Sequence, residues 1–547
     1  MNKDNGRLDR ALLQDIDAVV EDAMSSLWQQ QKPDGHWAFE LEADVTISAE
    51  YIFLMHFLDD IDLDVQEDLA GFIRHIQGDH GGWPLFYGGE LNISTSVKAY
   101  YALKLSGDKE EDPHMVKARN AILAAGGAER CNVFTRYGLA LFGQVPWRAV
   151  PIMPVELMLM PKWFPIHMGR FSYWSRTVIA PLLILATLKP MAKNPNEVHI
   201  PELFQTPPFE IPNYLQPQSG GLGERFFLVL DKILKWGEHL FPKSSRTRAL
   251  ARAEEFFRER LNGEEGLGAI FPAMANSIMA LDALGVPRDD PDFKTALLSV
   301  KKLLVKGEDG RRYCQPCVSP IWDTALATHA AMEAGTGASD PRLKSAMDWM
   351  WDKQILDIKG DWADKNPNLK PGGWAFQYEN AHYPDTDDTA VVGMALHRTG
   401  RAEYNEPIER AAHWLKGMQS KNGGWGSFDI DNNSEYLNLI PFADHGALLD
   451  PPTSDVTARC LSFFAQLGCE RSDSTIKRAV AFLINEQEGD GSWFGRWGTN
   501  YIYGTWSVLC AFNMVGEDHG APHIRRAVDW LIDRQRTDGG WGEGEES

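Results

Sequence analysis

The stretch AVAFLINEQEGDGSW, residues 479–493, decides the fold. Its apolar residues recur at helical spacing and run into Gln487, after which Gly491 and Trp493 close the pattern: a Gln, three residues, a Gly, one residue, a Trp. The same pattern stands at Gln31-Gly35-Trp37, Gln77-Gly81-Trp83, Gln419-Gly423-Trp425 and Gln535-Gly539-Trp541. A repeat at a period of tens of residues means stacked units. Each outer helix is predicted to end near the Gln, the Gly to permit a tight turn, and the Trp ring to lie over the Gln amide.

Weakened copies lie between the two groups of repeats. At Leu261–Leu267 the Gln and Trp are lost, and from Gln354 to Trp362 the spacing is stretched. Helical periodicity runs through nearly the whole chain, as in HIRRAVDWLIDRQ, and strand-like alternation is scarce. We read an all-α chain of two α/α barrel (toroid) domains built on Gln-Gly-Trp repeats. Residues 1–40 form an N-terminal segment packing with the second barrel, 41–310 the first barrel and 311–547 the second, with a Pro-rich linker at 189–218.

The formal net charge of −22, from 54 basic and 76 acidic residues, argues against nucleic acid, whose phosphates need a basic footprint. The start, MNKDNGRLDR, has no apolar run of the secretory kind. Six cysteines in 547 residues make no disulfide framework, and Cys314-Gln-Pro-Cys317 lacks a second pair at metal-ligand spacing, so it reads as two core or loop cysteines. The 19 Trp and 26 Phe suggest an aromatic-lined interior.

Two segments stand apart. Glu224–Phe241, ERFFLVLDKILKWGEHLF, puts Phe226, Phe227, Leu230, Ile233, Leu234, Leu240 and Phe241 on one broad face and Asp231, Lys235 and Glu238 on the other. It is too short and too charged to span a bilayer. It reads as a core-packing amphipathic helix or as an interfacial helix dipping into one leaflet. The second is Asp385-Thr-Asp387-Asp388, with Trp374, Phe376, Tyr378 and Tyr383 upstream. Three carboxyls within four residues cannot all ionise cheaply in a low-dielectric site, since desolvation and like charge each raise a carboxyl pKa. One that stays protonated can act as a general acid. The bland alternative is a solvated helix start with acidic caps, which is how the runs Asp59–Asp64 and Asp289–Asp292 read.

The acid run, the repeats, SPIWDT at 319–324, GDW and PGGWAF within 360–376, and GSWFGRWGTNYIYGT at 491–505 together resemble the squalene–hopene cyclase family from about residue 10 to the end. The resemblance implies proton-initiated cationic polycyclisation of squalene to hopene, with hopan-22-ol as a second product. It implies Asp387 as the proton donor, supported by Asp385 and Asp388, with Asp323 and Asp455 at acidic positions of the same region. Arg459 stands where most members carry a His beside the acid; Arg stays cationic. Trp174, Phe134, Trp322, Phe376, Phe428, Trp497 and Tyr503 match cavity positions, where aromatic faces stabilise moving cations. Phe428 replaces a Tyr. Glu50 matches a polar pocket in which Lys98 and Asn132 replace other partners. Ile270-Phe271-Pro272 falls where the family controls water near the final cation.

The resemblance further implies no metal and no cofactor. The implied partners are squalene and membrane lipid in a monotopic contact at the cytoplasmic face of a bacterial membrane, with a homodimer as one oligomeric option. Family members continue past the last GGWGE, so the chain is expected to lack the C-terminal part and, as written, to have little activity. The alternatives are a class II cyclase of another polyprene, or an inactive toroid used as a scaffold. The acid run beside an aromatic pocket argues for the enzyme.

Overall fold

The computed structural model describes residues 10–216, 221–307, 310–443 and 446–544. Helices dominate, and the strands among these residues are one short antiparallel pair, Leu304–Lys306 with Arg312–Cys314. Cys314 is buried at the end of that pair.

Outer and inner helices differ in what they bury. The outer helix Ser474–Asn485 is capped by Asp473, whose carboxylate accepts from Thr475 N, and it buries Ile476, Ala479, Val480 and Leu483 along one stripe. The inner helix Val45–Leu58 buries residues all round, because both of its sides are covered. In the first half the inner helices stand in the order Val133–Leu141, Ile93–Leu105, Val45–Leu58, Phe271–Ala283 and Tyr173–Leu188. The ring closes where the Tyr137 hydroxyl donates to Leu182 O at 2.7 Å. In the second half Pro320–Glu333, Thr386–Arg398, Ser454–Gln466 and Asn500–Met514 pack side by side, each backed by an outer helix. Two separate hydrophobic cores result, and Leu437, Phe442, Leu448 and Leu449 from the second half reach back into the first.

The repeats are hydrogen-bonded clamps. Gln419 Nε2 donates to Gly423 O at 2.8 Å and to Thr475 O, in the first turn of the next outer helix, at 3.0 Å. Trp425 Nε1 donates to Leu415 O at 2.7 Å, and Trp425 N to the Thr457 hydroxyl of the inner helix at 3.0 Å. One turn thus ties three helices and satisfies a carbonyl that the helix end would leave without a partner. Gly423 sits at φ 98°, and a Cβ there would overlap the Arg478 carbonyl, so position 423 needs glycine for both reasons.

The first clamp crosses the molecule. Gln31 Nε2 donates to Arg342 O at 3.0 Å and Trp37 N to the Thr324 hydroxyl at 3.0 Å, and the end of the helix Arg10–Gln29, with Leu27 and Trp28, packs there against the second half of the chain. The stretched copy is resolved differently from its sequence reading. Its tryptophan is Trp374, not Trp362: Gln354 Nε2 donates to Gly372 O (2.8 Å) and Pro407 O (2.9 Å), and Trp374 Nε1 to Met350 O (2.5 Å). Residues 355–371 stand where the other clamps have three residues, so the clamp is complete around an insertion. By contrast, Gln535 makes one such bond, to Gly539 O.

The segment 224–241 forms the helix Leu222–Gly237 and a 3-10 turn, Glu238–Leu240. Its apolar residues divide into two rows. Leu222, Phe226, Val229, Ile233, Trp236 and Leu240 are exposed, whereas Phe227, Leu230 and Leu234 face an internal cavity. Asp231 is not on a solvated face: it is buried, accepts from Ile152 N at 2.7 Å and pairs with Lys235 at 2.8 Å.

Candidate active site

The acid run opens the inner helix Thr386–Arg398. Asp385 is its N-cap, accepting from Asp387 N at 2.6 Å and Asp388 N at 3.4 Å. It also donates its own N–H to Trp374 O at 2.7 Å, so the clamp at Gln354 sets the position of the run. Capping also explains the other acidic runs, since Asp62 and Asp290 cap the helices that follow them. What distinguishes the run at 385–388 is burial of all three carboxyls.

Burial raises all three pKa values. The charge on Asp387 adds to the effect at Asp385, and those on Asp385 and Asp387 add to it at Asp388, so both are held well above the usual carboxylate range. Asp387 faces the nearest cation. Arg459 Nε donates to its Oδ1 at 2.9 Å, and the opposing pulls of burial and guanidinium leave it at about 6. Asp387 therefore releases its proton most readily of the three, and its Oδ2 has no hydrogen-bond partner among the described residues. Arg459 Nη2 also donates to the Tyr503 hydroxyl at 3.0 Å, and its guanidinium lies 5.3 Å from the centre of the Trp322 ring.

Asp323 and Asp455 flank this group from the neighbouring inner helices. Asp323 accepts from Phe39 N at 2.8 Å and from the Ser319 hydroxyl, and burial lifts it to about 6. Asp455 accepts from Trp497 N at 2.8 Å. Trp497 in turn meets Trp174 edge to face at 5.6 Å, and Phe428 meets Trp174 at 6.0 Å. Phe376 is half-buried two residues after Trp374.

Trp174 joins the acid group to an internal cavity of about 670 Å³, which it lines with Phe134, Ile270, Pro272, Phe442 and others. The same lining carries Glu50 and Lys98, paired at 2.5 Å, and Asn132. Asn132 caps the helix Val133–Leu141. Phe271 does not join the lining: it is fully buried in the first core and stacks on Tyr51 at 6.2 Å, because on a helix its neighbours at 270 and 272 point elsewhere. A second cavity, about 370 Å³ and almost wholly apolar, lies under the helix Leu222–Gly237 and shares Ile179 and Phe442 with the first.

A model described as the squalene-hopene cyclase N-terminal domain matches residues 20–309, and one described as the C-terminal domain matches residues 318–547. The chain belongs to the squalene-hopene cyclase family. It is 53% identical over 519 residues to a squalene-hopene cyclase of Zymomonas mobilis, covering 93% of this chain and 78% of that one. Squalene-hopene cyclases of Schizosaccharomyces japonicus (51% identity, 94% of this chain and 79% of that one) and Bradyrhizobium diazoefficiens (52%, 93% and 78%) are similarly close.

Residues that sequence reasoning missed pack with Phe428 and Trp174 into a buried aromatic cluster, of which Trp174 reaches the cavity. Tyr173 lies 4.2 Å from Phe428 and stacks on Tyr383 at 4.7 Å, ring centre to ring centre. Asp450 accepts from Ser427 N, Phe428 N and Asp429 N, at 3.2, 2.7 and 3.0 Å, and so fixes the backbone that carries Phe428. Burial and the nearby Asp429 lift Asp450 to about 7. A lone Asp before Pro451-Pro452 gives no local signal of that role.

Proposed function

We propose that this chain is a class II cyclase that turns squalene into hopene, with Asp387 delivering the initiating proton. The observation that carries the reading is the buried carboxyl run with one member pulled down by Arg459, set against aromatic rings that continue into a 670 Å³ cavity. An alkene is a very weak base, so its donor must be both protonated and strongly acidic. Burial supplies the first condition. Arg459 supplies the second by stabilising the carboxylate that remains. The proton adds to the terminal alkene carbon, each ring closure moves the cation along the chain, and loss of one proton ends the sequence with the formula unchanged. Trp174, Phe428, Trp497, Trp322, Phe376, Phe134 and Tyr503 are the rings assigned to the cation. Glu50 is assigned to the polar end, where proton loss gives the alkene and water capture gives the alcohol.

Membrane lipid is the second proposed partner. No helix among the described residues is long and apolar enough to cross a membrane. The six exposed apolar side chains of 222–240 suit a contact with one leaflet, and the apolar cavity beneath suits passage of a hydrocarbon from that leaflet inward. We place this contact on the cytoplasmic face. We divide the chain at about residue 310, a reading supported by its two separate cores.

The test is conversion of squalene by the purified protein in deuterated water, read by gas chromatography and mass spectrometry. The expected product is a pentacyclic hydrocarbon carrying one deuteron from solvent. Unconsumed squalene, or a cyclic product without solvent hydron, removes the assignment; cyclisation of a different polyprene in preference to squalene changes the substrate.

A further inference from the structure

Beneath the acid-bearing loop lies a second buried charge cluster that the protonation chemistry does not use. The Arg176 guanidinium meets both oxygens of Asp429, at 3.0 and 3.1 Å, and its Nε lies 3.0 Å from Asp361 Oδ2. Arg260 Nη2 donates to Asp361 Oδ1 at 2.7 Å. The Tyr383 hydroxyl donates to Asp361 Oδ2 at 2.8 Å. Asn432 Nδ2 completes the set, donating to Asp429 Oδ2 at 3.0 Å. Two guanidiniums and two carboxylates cancel.

The members come from both halves of the chain. Arg176 lies on the helix Tyr173–Leu188, two residues after Trp174, and Arg260 follows the helix Lys243–Arg258. Asp361 is delivered by the insertion inside the clamp at Gln354. That insertion packs so closely that a Cβ at Gly360 would overlap the His382 carbonyl oxygen. Asp429 follows the turn of the clamp at Trp425.

Tyr383 is where the cluster meets the site. Its ring stacks on Tyr173, which touches Phe428, and its chain leads through Pro384 into the cap Asp385. Anchoring the phenol at Asp361 fixes one end of that aromatic row. We infer that Asp361, clamped by Arg176 and Arg260, is a positioning residue for the buried row Tyr383–Tyr173–Phe428, which backs Trp174 on the cavity wall, and so decides how far ring closure runs before a proton is lost. This rests on the cyclase reading above. Cation–π attraction falls with distance and misorientation. A displaced wall therefore leaves an intermediate cation exposed, and it loses a proton from a neighbouring carbon to give an incompletely cyclised isomer of the substrate.

Two variants of the full chain test this. Tyr383→Phe keeps the ring and removes the anchor. Asp361→Asn keeps the shape and removes the charge. A misplacement of about 1 Å costs on the order of 10²-fold in rate. We expect kcat to fall by ~10–100-fold, mono- to tetracyclic hydrocarbons to become major products, and the pH midpoint of turnover to stay at the wild-type value, because Asp387 and Arg459 are untouched. Asp361→Glu, which keeps the charge, restores part of the wild-type product ratio. Folded Tyr383→Phe protein with the wild-type product ratio overturns the inference, and it decides the matter alone where Asp361→Asn fails to fold. A wild-type chain that makes no cyclic product overturns the function itself, and the inference with it; wild-type turnover with unaltered variants sinks the inference only.

Discussion

Asp361, its side chain 15% exposed, and the buried Asp387 are carboxylates in the same half of the chain, yet their surroundings push them opposite ways. Asp361 has two guanidiniums and a phenol on its oxygens, and it is held below the usual carboxylate range despite burial. Asp387 shares one guanidinium with a crowd of other acids and is lifted to about 6. Burial alone therefore does not mark a proton donor. The cations on the carboxyl's own oxygens do: Asp361 has two arginines, whereas the run at 385–388, with Asp455 beside it, has one. Asp361, with two cations on one carboxylate, is held ionised and suits a structural anchor. The run at 385–388 must carry protons and suits an acid.

Exchanging these environments should break the comparison. Asp387→Asn removes the acid and is expected to abolish cyclisation. The loss should exceed the 10²–10⁴-fold typical of a general acid, because no water can protonate an alkene in its place; gas chromatography of extracted lipid reads it. The next effect is on pH. With Asp387 at about 6, its proton is bound below that value and lost above it, so turnover should hold at lower pH and fall about tenfold per unit well above the midpoint. The stability effect has the same sign, since the neutral form is the one that burial favours: the contribution is present at low pH and lost as pH rises through about 6. Arg459→Leu removes the lowering cation, so the midpoint should move up and kcat should fall by ~10–100-fold, matching the roughly 1–3 kcal/mol cost of an unpaired buried group. Arg459→His should fall less. Equal rates for the two variants would separate Arg459 from the acid.

Smaller effects test the scaffold. Changing the exposed Phe226, Ile233 and Trp236 together to Ser should abolish flotation with liposomes while leaving turnover in detergent within about threefold, surface changes being small in energy. Loss of turnover in detergent with intact flotation would reverse the roles of the two rows. Gln419→Ala, which breaks two buried hydrogen bonds, should cost ~1–3 kcal/mol and lower the melting temperature. Gln535→Ala, in the exposed copy with a single bond, should stay within ~0.5 kcal/mol.

Local pattern made much of this legible. Fixed spacing exposed five clamps, and helical periodicity exposed the fold. The clamp at Gln354 escaped full reading because its turn carries an insertion, so Trp362, the first tryptophan met, is the wrong one. The acid run declared itself by charge density in an aromatic setting. Its counterpart did not, because Arg176 and Asp361 lie far apart in sequence and neither stands in a motif. The helix at 222–237 is legible as amphipathic, but not which way it faces: Asp231 reads as part of the charged face and instead accepts from a backbone amide inside.

That bond has a mechanical consequence. A cylinder resting on a soft surface can roll, and rolling this one would exchange its outer row of six side chains for the inner row that lines the passage. Asp231, tied to Ile152 N at its buried side, acts as a rotational stop. It holds the same row outward, and on the proposed contact with a leaflet it would keep the apolar cavity beneath the helix in register with the surface above it.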